Sequence, residues 1–214
     1  MKYEWIFFDL DGTLINTLPD LTAAMNKALE INNIKLKYKE SNMRLFIGSG
    51  SLIACKRALG SIKLSDTLFT KFYNDYVSIY NQMSCLKSEP FKGVIETLTS
   101  LKEKGYKLAV FSNKPDRDTK NIIKFYFNDL FDAVRGQVDG IPIKPDKSGY
   151  LELKKDFTID DNKILYVGDM INDYEFSKNL GCDFFYCSFG YDINHLVTSY
   201  TKELKSFKDL LQWV

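Results

Sequence analysis

The stretch WIFFDLDGTL, Trp5 to Leu14, decides how this chain is read. Trp5 to Phe8 form an apolar run of the kind found in strands covered on both faces. The run ends abruptly in Asp9 and Asp11, followed by Gly12 and Thr13. Burying a carboxylate is costly unless something compensates it. A strand that delivers two acids to its own end must therefore bring them a partner.

Three further runs repeat the pattern: KLAVFS (Lys107 to Ser112), KILYVGD (Lys163 to Asp169) and DFFYCS (Asp183 to Ser188). Together with EWIFFD (Glu4 to Asp9) they alternate with helical stretches, which predicts an α/β chain: a Rossmann-like, mainly parallel sheet. GVIETLTSLKEKG (Gly93 to Gly105) is expected to turn Val94, Ile95, Leu98 and Leu101 to one helical face, with Gly105 closing the helix. DYEFSKNLG (Asp173 to Gly181) reads as a shorter helix. From about Pro19 to Glu89 there is helical periodicity, in LTAAMNKALEI and TLFTKFYNDYVSIYNQM, but no convincing strand. The expected organisation is a core of residues 1–15 and 91–214 with a helical cap, residues 16–90, inserted after the first strand. Pro90 and Gly93 mark the return.

Lys and Arg number 29 against 28 Asp and Glu, so no bulk field draws in nucleic acid or an anionic membrane. The basic cluster KLKYKE (Lys35 to Glu40) reads as a solvated loop or helix end. Cys55, Cys85, Cys182 and Cys187 are scattered, without a C-x-x-C pair, which argues against zinc and a disulfide framework and favours buried free thiols. No run approaches a membrane span, and the expected compartment is the cytoplasm. The single histidine, His195, lies outside every motif and reads as a surface or packing residue.

Ligands of parallel sheets bind beyond the carboxyl ends of the strands. Asp9 and Asp11, Ser112 and Asn113, and Asp169 are thus expected to converge, although they are far apart in sequence. Crowded carboxylates repel, and a divalent cation is the simplest compensation. An all-oxygen site suits magnesium, which shares its shell with water and substrate phosphate.

With these residues in view, the chain resembles the haloacid dehalogenase-like hydrolases, in the branch carrying a helical cap. The resemblance rests on four motifs in order: DLDGT (Asp9 to Thr13), Ser112 in VFSNKPD, Lys144 in IKPDKSGY, and Asp169 and Asp173 in GDMIND. It implies that Asp9 attacks phosphorus to give an aspartyl-phosphate and that Asp11 protonates the leaving oxygen and later activates water. It implies magnesium held by the Asp9 side chain, the Asp11 backbone carbonyl and Asp169, with Asp173 in support. Lys144 would neutralise charge, while Ser112 and the Asn113 N–H grip a non-transferred phosphoryl oxygen. Family dehalogenases lack an acid/base aspartate at Asp11, so phosphoryl transfer is implied rather than carbon–halogen cleavage.

FSNKPD and FIGSG are most similar to phosphoglycolate phosphatases and their relatives, which favours 2-phosphoglycolate among small phosphate esters. In the cap, Gly48 and Gly50 could shape a loop, and Arg44, Lys56 and Arg57 could meet a substrate carboxylate; the alternative is solvated helix charge. Two other functions stay open: a sugar-phosphate mutase of the same fold, and a non-catalytic phospho-accepting module. The chain is expected to act as a monomer or homodimer.

Overall fold

The computed structural model describes residues 2–214, which divide into two compact units, residues 2–15 with 90–214, and Asn16–Glu89.

The first unit is built on a six-stranded parallel sheet in the order β5-β4-β1-β6-β7-β8. Its strands are β1 (Trp5–Phe8), β4 (Lys107–Pro115), β5 (Ala133–Gln137), β6 (Ile164–Gly168), β7 (Asp183–Cys187) and β8 (Lys202–Leu204). Helices α5 (Val94–Glu103), α6 (Asp116–Phe127), α7 (Ser148–Lys154) and α8 (Ile171–Leu180) connect and cover them. All four residues of β1 are buried. Alternate side chains leave a strand on opposite faces, so Phe7 meets Tyr150 while Phe8 meets Phe131 and Phe207. Full burial of each such ring stabilises the fold by about 1.5–3 kcal/mol.

β1 lies between β4 and β6, and the strand order reverses there. The chain builds outward from β1 through β4 to β5, then crosses to β6, β7 and β8. Such a reversal opens a crevice at the carboxyl ends of the strands. Registers pair Phe8 with Val110 on one side and Val167 on the other. Leu10, Ser112 and Asp169, each two residues further on, therefore reach the same rim.

β5 and β8 were not among the expected strands. AVRGQ carries Arg135, Gly136 and Gln137, and β8 is three residues long, so neither presents an apolar run. One expected face also differs. In α5 the buried residues are Val94, Thr97, Leu98 and Leu101, whereas Ile95 is 45% exposed. Spacing of three and four selects Thr97 for the stripe, and Ile95 stands one helical step off it.

The second unit holds α1 (Leu18–Ile31), α2 (Glu40–Phe46), α3 (Ser51–Leu59) and α4 (Asp66–Met83). α1 buries Leu21, Ala24, Met25, Ala28 and Leu29, and packs against α4, which buries Phe72, Tyr76 and Tyr80. Ser65 caps α4 by accepting from the Leu68 N–H at 3.4 Å. A two-stranded sheet of β2 (Ile15–Asn16) and β3 (Glu89–Pro90) accompanies the insertion points. Lys35, Lys37 and Lys39 are exposed. Among the described residues, no helix is long and apolar enough to cross a membrane.

Candidate active site

At the end of β1 the backbone leaves the sheet under tight control. The Asp9 N–H donates to Val167 O at 2.9 Å, and Gly12 turns the chain with φ +94°. A Cβ on Gly12 would lie 2.3 Å from Asp169 Oδ2. Both the left-handed backbone and the missing side chain are therefore required for the two acidic loops to approach. At the end of β6, Gly168 does the same for Asp173: a Cβ there would lie 2.5 Å from the Asp173 Cβ.

The rim gathers three buried carboxylates, Asp9, Asp169 and Asp173, with one oxygen of each within 4.8 Å of the others. Asp169 is locked on both oxygens. Thr13 Oγ1 donates to Oδ1 at 2.9 Å, and the Tyr191 N–H donates to Oδ2 at 2.7 Å. Asp173 opens α8 by accepting from the N–H groups of Asp169 and Met170 at 3.2 and 3.0 Å. It is thus both a helix cap and a member of the cluster.

Lys144 stands under this cluster, 2% exposed. Its Nζ donates to Asp9 Oδ1 at 2.8 Å, Asp173 Oδ1 at 2.6 Å and Phe111 O at 3.0 Å, and it meets Tyr166 OH at 2.7 Å. Tyr166 in turn donates to Phe111 O at 2.8 Å. Burial, then the Asp173 and Asp9 charges, push the Tyr166 phenol well above its usual range, so its proton stays on. Burial pulls Lys144 down, but Asp173 and Asp9 outweigh it and leave the ammonium with a raised pKa.

One ammonium does not neutralise three acids. Burial pushes Asp9 up to about 6, and the charges of Asp173 and Asp11 add to that push against Lys144. Asp169 is held well above the carboxylate range by burial and by the charges of Asp173 and Asp9. Three crowded carboxyl oxygens that resist ionising together fit a hard divalent cation, which would favour their ionised forms. Lys144 thus compensates part of the charge at the end of β1, and a cation fits the remainder.

Asp11 stands apart from the carboxylate cluster. Its two oxygens accept from Lys114 Nζ at 3.1 and 3.2 Å. Ser112 and Asn113 are buried at the end of β4, and the Ser112 hydroxyl accepts from the Lys114 N–H at 3.3 Å. The Asn113 side chain accepts from the Lys144 N–H at 2.7 Å and donates to Lys144 O at 3.1 Å. This pair fastens the segment bearing Lys144 to β4, a task the sequence reading did not give Asn113.

The core thus brings together Asp9, Asp11, Ser112, Asn113, Lys144, Asp169 and Asp173. Arg44 and Gly48 belong to the helical unit, Arg44 in the last turn of α2 and Gly48 in the following turn with φ +99°. Arg57 there donates to Phe46 O and Ile47 O at 3.0 and 3.3 Å and to Ser49 Oγ at 3.3 Å. It braces its own loop, and Lys56 lies over the Phe69 ring at 5.8 Å. His195 is exposed.

Sequence reasoning missed Thr13, Lys114 and Tyr166. Thr13 and Lys114 stood inside quoted motifs without a role. Tyr166 carried a usable signal, because a tyrosine in a fully buried strand needs a partner for its hydroxyl.

The model of the haloacid dehalogenase-like hydrolase family matches residues 6–187. The phosphoglycolate phosphatase of Haemophilus influenzae (strain 86-028NP) is 34% identical over 204 residues, covering 92% of this chain and 91% of that protein. That of Mannheimia succiniciproducens is 32% identical over 222 residues, covering 100% and 99%. The crystal structure of a predicted phosphoglycolate phosphatase from Haemophilus somnus 129PT superposes with a TM-score of 0.90 at 31% identity, covering 99% of this chain and 98% of that one.

Proposed function

This chain belongs to the haloacid dehalogenase-like hydrolases and is a phosphatase of that type, and from that premise we propose that it depends on magnesium and that its substrate is 2-phosphoglycolate. The observation that carries the metal requirement is the buried set Asp9, Asp169 and Asp173, with oxygens within 4.8 Å of one another. Similarity to the phosphoglycolate phosphatases supports the substrate reading.

In this reading Asp9, Asp169 and Asp173 would hold the cation, together with the Asp11 backbone carbonyl. When bound, magnesium supplies positive charge that lets an anionic nucleophile approach an anionic phosphoryl group. Asp9 attacks phosphorus and takes the phosphoryl group as an aspartyl-phosphate while the glycolate oxygen departs. Asp11, carrying a proton when substrate is bound, gives it to that oxygen and then recovers one from the water that attacks the aspartyl-phosphate. Lys144, held by Asp173 and Tyr166 and pinned through Asn113, keeps its ammonium against the Asp9 carboxylate. Ser112 and the Asn113 N–H steady a non-transferred oxygen. Asn16–Glu89 is read as the cap, with Arg44 and Gly48 as its candidate substrate contacts. The free thiols of Cys55, Cys182 and Cys187 suit the cytoplasm.

A panel of phosphate esters with magnesium tests this reading. Release of inorganic phosphate, with the highest kcat/KM for 2-phosphoglycolate, is expected. Isomerised sugar phosphate without inorganic phosphate would overturn it in favour of a mutase, and folded protein without turnover of any ester would overturn it altogether.

A further inference from the structure

The rim holds two buried lysines among the described residues, Lys144 and Lys114, and the proposed mechanism uses only the first. Lys144 is engaged below the reacting carboxylate by Asp9, Asp173 and Phe111 O. Lys114 is 6% exposed, and its ammonium meets Asp11 instead of the Asp9 and Asp173 carboxylates.

Its position is fixed from three directions. The Lys114 N–H donates to Ser112 Oγ at 3.3 Å, and Lys114 O accepts from Thr119 Oγ1 at 3.3 Å. Gly136 passes so close that a Cβ there would lie 2.5 Å from Lys114 O. The extended tail of β4 is thus held rigidly between β5 and the start of α6, and the ammonium reaches from it to both oxygens of Asp11. Asp118, buried in the first turn of α6, is a second acid near it: burial raises the Asp118 carboxyl, and the Lys114 charge opposes that rise.

Taken with the proposed substrate, this places a cation beside the leaving group. Asp11 is the residue assigned to the ester oxygen, so a group touching the Asp11 carboxylate lies one small functional group away from that oxygen. In 2-phosphoglycolate a single methylene separates the ester oxygen from the carboxylate. We infer that Lys114 receives the carboxylate of the substrate and is the residue that selects an anionic leaving group over a neutral one. The inference rests on the substrate reading above and adds the side chain that enforces it. Lys114 binds the departing half of the substrate, while Lys144 and the cation serve the phosphoryl half. As Asp11 is drawn to the ester oxygen, the substrate carboxylate takes over part of its pairing with Lys114, and the buried ammonium keeps a counter-anion throughout.

The test compares two esters that differ at one group: 2-phosphoglycolate and its amide, phosphoglycolamide, each with wild type, Lys114→Met and Lys114→Arg at saturating magnesium. Loss of a charge-assisted hydrogen bond predicts that the ratio of kcat/KM for the acid over the amide falls about 30-fold in Lys114→Met, mostly through KM. Lys114→Arg should restore part of that ratio. A parallel fall for both esters would overturn the inference, because Lys114 would then act only by positioning Asp11. An unchanged ratio would overturn it as well. Should Lys114→Met fail to fold, Lys114→Gln keeps a hydrogen-bond donor toward Asp11 without the charge and carries the same comparison. The substrate reading fails separately, in wild type alone, if the acid is not preferred to the amide.

Discussion

Asp20 in the helical unit and Asp9 in the core are both buried carboxylates, and they meet burial in opposite ways. Asp20, in the first turn of α1, is fully buried. It accepts from the N–H of Lys87 at 3.1 Å on each oxygen, from the Ser88 N–H at 2.9 Å and from the Ser88 hydroxyl at 2.6 Å. All of these donors are neutral, and they tie the start of the inserted segment to its end. Asp9 instead accepts from one ammonium and shares its surroundings with two further acids. A buried acid ringed by amides is complete as it stands. A buried acid crowded by other acids is held toward its neutral form unless a cation is added.

This contrast makes predictions of decreasing size. Asp9→Asn should lower kcat by about 10⁴-fold or more, since it removes the nucleophile's charge at constant volume. Its unfolding midpoint should hold or rise, because the cluster loses a repelling charge. Near-normal turnover would break the account of covalent catalysis. Asp169→Asn should raise the magnesium concentration for half-maximal rate about 100-fold, read from a metal titration of turnover. An unchanged titration would remove Asp169 from the metal's shell.

Asp20→Ala should cost about 2 kcal/mol of stability in urea unfolding, because it strands the donors of Lys87 and Ser88. Turnover of the folded variant should change far less than in Asp9→Asn. Lost turnover with unchanged unfolding would erase the distinction between the two acids.

The smallest effect concerns pH. Asp9, with its carboxyl raised to about 6 in the folded, metal-free protein, contributes stability below the ordinary carboxylate range of about 4. That contribution is lost as pH rises through about 6. The metal-free midpoint should therefore fall by about 3 °C between pH 5 and pH 7. With magnesium the fall should shrink or reverse, because the cation binds ionised carboxylates. A metal-free midpoint that rises over that range would contradict the sign.

The two regions also differ in how well their sequences announce them. β1, β4 and β6 are legible because they run apolar to their ends and then turn abruptly polar, and equal registers carry Leu10, Ser112 and Asp169 to one rim. The helices of the insert are legible from their periodicity, yet for Arg57 the sequence offers only a substrate contact or a solvated helix charge, and the hydrogen bonds to Phe46 O and Ile47 O are neither of these. For Lys114 and Tyr166 the identity of the partner is what the sequence leaves open. Tyr166 lies inside an expected strand, where periodicity forecasts burial but says nothing of the polar atom at the tip, and Lys114 lies beyond the expected end of its strand, in the part of β4 that continues to Pro115. Their partners, Asp11 and Lys144, come from segments distant in sequence, and only the folded sheet brings them together.

The central claim is that Asp9, Asp169 and Asp173 are crowded together in order to hold a divalent cation. Calorimetric titration of the substrate-free protein with magnesium at pH 7 tests it most directly. The account predicts saturable binding of one ion, lost or greatly weakened in Asp169→Asn and intact in Asp20→Asn. No binding by the wild type, or equal binding by Asp169→Asn, would contradict it.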